Sequence, residues 1–112
     1  MDKITKHKEI VKAAIMKYAD MMRFKEPIEK QVIFDDERGH YLLMKVGWRN
    51  SKPVYGTTFH IDVRPDGKVW VQRDNTDVII VDDLLENGIP QSEIVLAFHA
   101  PFMRSQTEFA VV

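Results

Sequence analysis

Apolar residues recur at three- and four-residue spacing near the start of the chain, at Ile4, Val11, Ile15, Tyr18 and Met22. That period predicts an amphipathic helix, with Lys8 the one polar member of its stripe. Asp2 suits the N-cap. Pro27 forbids continuation, which leaves Lys25 and Glu26 in a linker. Met16, Met21 and Met22 read as core filling, because methionine packs irregular gaps.

From Gln31 the period falls to two. Gln31–Asp35 predicts a short strand, and 36–40, with Gly39 among charges, a hairpin connection. Tyr41–Trp48 places Leu42, Met44, Val46 and Trp48 on one face and Tyr41, Leu43 and Lys45 on the other. Apolar residues on both faces suggest a central strand covered on each side. After the turn region Asn50–Pro53, the strand Val54–Arg64 directs Tyr55, Thr57, Phe59, Ile61 and Val63 inward and Thr58, His60, Asp62 and Arg64 outward. Arg64-Pro-Asp-Gly-Lys68 is a turn by its chemistry. Proline presets the second position, and glycine takes the left-handed one that rejoins the ladder. With Arg64 opposite Lys68, Asp62 falls opposite Trp70 and His60 opposite Gln72. Val69–Arg73 completes an antiparallel meander of four strands.

Past the 74–77 turn the period changes again. Val81, Leu84 and Leu85 fit a short helix stopped at Asn87-Gly88. For Gln91–Phe98 periodicity does not separate helix from buried strand, and Pro90 with Ser92 and Glu93 favours a helix. The tail from Ala100 to Val112 is irregular with a strand-like end. The expected class is therefore α+β: an N-terminal amphipathic helix, an antiparallel four-stranded β-meander and short C-terminal helices, all in a single domain spanning 1–112.

Composition narrows the function classes. At 112 residues with 45% apolar and 29% charged side chains, the chain has enough core to fold without staples. It has no cysteine, which removes disulfides, thiolate metal sites and cysteine nucleophiles, and suits a cytoplasmic protein. No run approaches the roughly 20 apolar residues of a membrane span, so no membrane role is expected. Net charge is −1, yet the first 30 residues carry eight lysines and arginines against five acids. One basic helix, with Lys3, Lys6, Lys8, Lys12 and Lys17, falls short of the basic surface of a duplex-binding domain, so direct DNA contact is disfavoured.

Candidate chemistry is sparse. His60 and Asp62 share one side of a strand about 7 Å apart, and His40, His99, Asp74 or Gln72 are further donors. Against a metal site stands the lack of any tight ligand spacing. No GxSxG context or glycine-rich phosphate loop occurs. His99, Arg104 and Glu108, mixed with aromatics outside regular structure, mark a candidate binding surface; alternatively Arg104 and Glu108 pair to pin the tail. Partner- or ligand-binding candidates are thus His60, Asp62, Trp70, Gln72, His99, Arg104 and Glu108, with no catalytic residue, no resident metal and no cofactor.

Seven blocks carry a family likeness. They are His40-Tyr-Leu-Leu-Met44, Val46-Gly-Trp48, His60-Ile-Asp62, Gly67-Lys-Val-Trp-Val-Gln-Arg-Asp74, Gly88-Ile-Pro90, Ile94-Val-Leu-Ala-Phe-His99 and Thr107-Glu-Phe-Ala-Val111. In this order, over the whole length, they resemble the XisI family, the fdxN element excision controlling factors of cyanobacteria. Asn75 and Ala97 stand where the resemblance leads one to expect glycine. The resemblance implies an accessory role in excising a DNA element during heterocyst differentiation, where a site-specific recombinase supplies the chemistry. It also implies partners, an XisH-like protein and a site-specific recombinase complex. A homo-oligomer through an exposed sheet edge is a further expectation. Two rivals remain: a metal-dependent hydrolase or nuclease using His60, Asp62 and His99, and a DNA-binding module built on the basic helix.

Overall fold

The computed structural model describes residues 2–24, 27–74 and 80–112. The predicted linker at Lys25–Glu26, residues 75–77 of the predicted turn, and Asn75 among the family positions lie outside the described residues. Helix α1, Lys3–Met21, is followed by β1 Ile28–Asp35, β2 His40–Arg49, β3 Lys52–Val63 and β4 Val69–Asp74. Then come α2 Ile80–Glu86, a 3-10 turn Gln91–Glu93, β5 Ile94–Leu96 and α3 Pro101–Arg104. Five strands form one sheet in chain order, not the expected four. Neighbours β1 to β4 pair antiparallel, while β5 joins β4 in parallel, with Val69 opposite Ile94 and Val71 opposite Leu96. A parallel neighbour needs a crossover, and α2 lies on that connection.

The fifth strand corrects the helix favoured over Gln91–Phe98. Ile94, Val95 and Leu96 are all buried. A strand buried on both faces loses the alternation that would reveal it, so its sequence looks the same as a buried helical turn.

Helix α1 starts where Asp2 predicts it: the Thr5 amide donates to Asp2 Oδ1 at 2.8 Å. Val11, Ala14, Ile15, Tyr18 and Ala19 are buried, with Tyr18 tilted against Phe59 at 5.6 Å between ring centroids. The polar member of the buried stripe is His7, not Lys8, since His7 lies one turn before Val11. Its Nδ1 lies 2.8 Å from the Gly67 carbonyl oxygen and its Nε2 3.5 Å from Glu93. Two of the three methionines differ from expectation: Met16 and Met21 point to solvent, and Met22 alone packs on the core.

Helix α1 covers one face of the sheet. There Tyr41, Leu43, Phe59, Ile61, Val63, Val69 and Val71 close the core with Ile80, Val81 and Leu84 of the α2 segment. Each such side chain contributes roughly 1.5–3 kcal/mol by leaving water. The opposite face carries Leu42, Met44, Val46 and Trp48 from β2. It lacks the expected cover, for Ile33, Trp48 and Tyr55 lie open to solvent.

Two irregularities redirect β3. The β2–β3 turn is a two-residue one, Asn50 and Ser51 both at positive φ, so Arg49 faces Lys52 and Lys52–Pro53 belong to the strand. Between Leu43 and Met44 the register shifts, leaving Thr58 as an extra residue. Thr57 therefore pairs with Met44 and Tyr55 with Val46, on the open face rather than inward, and Thr58 is buried instead. A second shift lies between His60 and Ile61. Arg64 does bond Lys68, and Asp62 does face Trp70, but His60 faces Arg73 and Gln72 becomes the extra residue.

Candidate functional site

The first irregularity builds the site. Continuing the register of the Asn50–Ser51 turn unbroken would set His40 opposite Ile61. The extra residue at Thr58 sets it opposite Asp62 instead. Directly opposed residues share a face, and His60 lies two residues before Asp62 on that same face. Three side chains from two rigid strands therefore converge.

Asp62 is the hub. Its Oδ1 lies 2.7 Å from His40 Nδ1 and 3.0 Å from His60 Nε2, while Gln72 Nε2 donates to Oδ2 at 3.2 Å. The carboxylate is nearly buried, whereas the side chains of His40 and His60 are 48% and 34% exposed. So the donors around a buried acid keep a mouth to solvent. The two imidazoles meet edge to face at 6.2 Å. Burying a carboxylate without partners is costly, and three donors offset that cost here.

Trp70, across from Asp62, is capped by two guanidinium groups: Arg64 at 3.9 Å and Arg104 at 5.5 Å from its ring centre. Arg104 reaches it from α3 while donating to the carbonyls of His99 and Ala97 at 3.0 and 3.3 Å. It does not pair with Glu108, so the tail is pinned by backbone carbonyls and by the bridge of Ala110 to Val95. His60, Asp62, Trp70, Gln72 and Arg104 are thus brought into one neighbourhood. Glu108 points to solvent. His99 packs on Phe98 at a tilt of 47° and stands apart from the ligand atoms of the His40–His60–Asp62 group, which lie within 4.8 Å of one another.

His40, in the expected hairpin connection by sequence and outside the main candidate set, opens β2. Its signal was the pairing with Asp62, and that signal needs the β-bulge to be known. Alternation along β3 marks Arg64 only as an outward charge and carries no hint of its place on Trp70. A shallow cleft of about 400 Å³ between α1 and α2, lined by Glu9, Ala13, Lys17 and Asp83 among others, shares none of these residues.

Four of the five lysines of α1 are engaged within the molecule. Lys3 pairs with Glu93 at 2.7 Å, Lys12 with Glu9 and Asp36 at 2.9 and 3.0 Å, and Lys17 with Asp83 at 3.2 Å. Lys8 donates to the Asp36 carbonyl at 2.6 Å. Among the described residues, no helix is long and apolar enough to cross a membrane.

Residues 1–111 match the profile of the XisI protein family. The chain belongs to the XisI family. The solved structure of a XisI-like protein from Anabaena variabilis ATCC 29413 superposes with a TM-score of 0.90 at 35% identity, covering 97% of this chain and 99% of that one. The fdxN element excision controlling factor XisI from the same organism superposes with a TM-score of 0.87, also at 35% identity, covering 99% of this chain and all of that one. Among curated proteins none matches. The α+β architecture found here, with its N-terminal helix, five-stranded sheet and short C-terminal helices, is thus the XisI architecture.

Proposed function

We propose that this XisI-family chain is a non-catalytic controlling factor of DNA element excision that acts by binding a protein partner, an XisH-like protein, through the open face of its sheet. The observation that carries this reading is the end-to-end likeness to an fdxN element excision controlling factor, which covers 99% of this chain. Two features of the surface support the partner half of it. Ile33, Trp48 and Tyr55 are 46%, 57% and 77% exposed on one sheet face, and exposed aromatics of this size are the usual anchors of protein interfaces. Four α1 lysines are tied to acids or carbonyls of the same chain, which lowers the charge on offer to a phosphate backbone.

The test is reconstitution. The chain and an XisH-like protein are co-expressed, purified through a tag on one, and sized by sedimentation, with duplex DNA as a parallel arm. A stoichiometric complex with the protein and no salt-sensitive shift of the DNA supports the reading. A chain that stays alone at micromolar concentrations, or that binds duplex DNA by itself, counts against it. In cells that carry an excisable element, deletion of the gene should block excision, and the intact gene should restore it.

A further inference from the structure

We propose that His40 Nδ1, His60 Nε2 and Asp62 Oδ1 form a binding site for one divalent transition cation of the zinc class, with a coordination position left open to solvent. This goes beyond the partner reading and does not depend on it. Two half-exposed imidazoles converge on a single oxygen of one carboxylate, at 2.7 and 3.0 Å. Burial of the carboxylate asks for donors, and Gln72 already supplies one to Oδ2. A second part-exposed imidazole on the same Oδ1 goes beyond that need, since ordering it costs rotamer freedom.

As a donor set the arrangement has a rationale. Two imidazoles and a carboxylate are the borderline ligands that suit zinc, cobalt, nickel or iron(II), whereas magnesium and calcium ask for all-oxygen cages. Zinc–ligand bonds of about 2.0–2.2 Å place neighbouring tetrahedral donors roughly 3.3 Å apart. The 2.7 and 3.0 Å contacts need to open by about 0.6 and 0.3 Å to admit the ion, and the two ring nitrogens, within 4.8 Å of each other, to close toward the same spacing. The donors stand on adjacent strands rather than on a loop, which holds their spacing. Gln72 holds the second carboxylate oxygen at 3.2 Å, which turns Oδ1 toward the imidazoles in the way outer-shell partners orient ligands. Both histidines reach solvent, which supplies an entry path. The fourth position then faces outward, available to water or to a side chain of another protein.

Chelator-treated full-length protein is titrated with Zn²⁺ and Co²⁺ by calorimetry, with Mg²⁺ as the comparison ion, and the Co²⁺ form is read by its visible absorption. The expected result is one Zn²⁺ or Co²⁺ per chain, a d–d spectrum of low coordination number, and no Mg²⁺ binding. His40→Ala and His60→Ala should each weaken binding at least tenfold, Gln72→Ala should weaken it by about tenfold, and His99→Ala should leave it unchanged. His40 is half exposed, so its variant keeps the fold, and circular dichroism verifies this before titration. Absence of stoichiometric Zn²⁺ or Co²⁺ binding overturns the proposal. So does binding that survives both histidine substitutions, or binding in which Mg²⁺ competes on equal terms.

Discussion

The two faces of the sheet are built from alternate residues of the same strands, yet they do different things. Under α1, Tyr41, Leu43, Phe59, Ile61 and Val71 are sealed from water. On the other side stand Asp62 with its two histidines, Trp70 with two arginines at its ring, and the open Ile33, Trp48 and Tyr55. One face carries the stability and the other carries the polar and aromatic groups available to a ligand or partner. Since successive residues alternate between them, a single extra residue in β3 exchanges the two roles along half a strand.

The strongest way to break the contrast is to strike the covered face. Phe59→Ala, at a fully buried position against Tyr18, should cost about 3–5 kcal/mol in chemical denaturation. A cost below 1 kcal/mol would mean that the helix does not depend on this packing. Next comes the β1–β2 turn that delivers His40. Gly39 has φ 74°, and a Cβ there would lie 2.2 Å from the Val63 carbonyl oxygen. Gly39→Ala should cost on the order of 1–3 kcal/mol and weaken the His40–Asp62 pairing with it, read by thermal unfolding and by the histidine resonances in NMR.

Acid and base should sharpen the comparison, since the shifted groups lie around α1 and its contact with the β1–β2 turn. Hydrogen bonds from Lys12 and then Tyr41 hold the Asp36 carboxyl below its ordinary 3.8. The Thr5 amide does the same for Asp2, and the Arg38 amide for Asp35. A depressed carboxylate adds stability above its unfolded value and loses it as pH falls through the lower folded one. Burial, and then its hydrogen bond to Asp36, pushes Tyr41 well above its ordinary 10.0. That contribution is present below 10.0 and disappears as pH rises above it. Stability measured against pH should therefore fall on the acid side below 3.8 and on the alkaline side above 10.0. Asp36→Asn should soften the acid limb.

The covered face and the turns were readable in the sequence because their signals are local. A period of 3.6 marks α1, a period of two marks β2 and β3, and Arg64-Pro-Asp-Gly-Lys68 names its own turn. The family likeness, resting on seven blocks in order, was readable too. What escaped depends on pairing between distant residues. The extra residues Thr58 and Gln72 have no composition signal, so Tyr55 and Thr57 were assigned to the wrong face and His60 to the wrong partner. His40 entered the site only through the shifted register. Strand β5 escaped for a different reason, since a segment buried on both sides shows no period. Of the candidate residues, Asp62, His60, Gln72 and Trp70 meet, and Arg104 joins them over the indole; His99 and Glu108 do not.

The smallest effects on stability belong to the open face. Trp48→Ala and Tyr55→Ala should each shift unfolding by no more than about 0.5 kcal/mol, because neither side chain is sealed from water. That near-neutrality makes them clean probes of the central claim, that the uncovered face is the partner surface. The decisive measurement is the affinity of an XisH-like protein for the wild-type chain, for the Trp48→Ala/Tyr55→Ala pair, and for Met21→Ala on exposed α1 as control. The account predicts a complex weakened at least tenfold by the pair and unchanged by the control. Equal affinity for the pair and the wild type, or a loss confined to the α1 control, would contradict it.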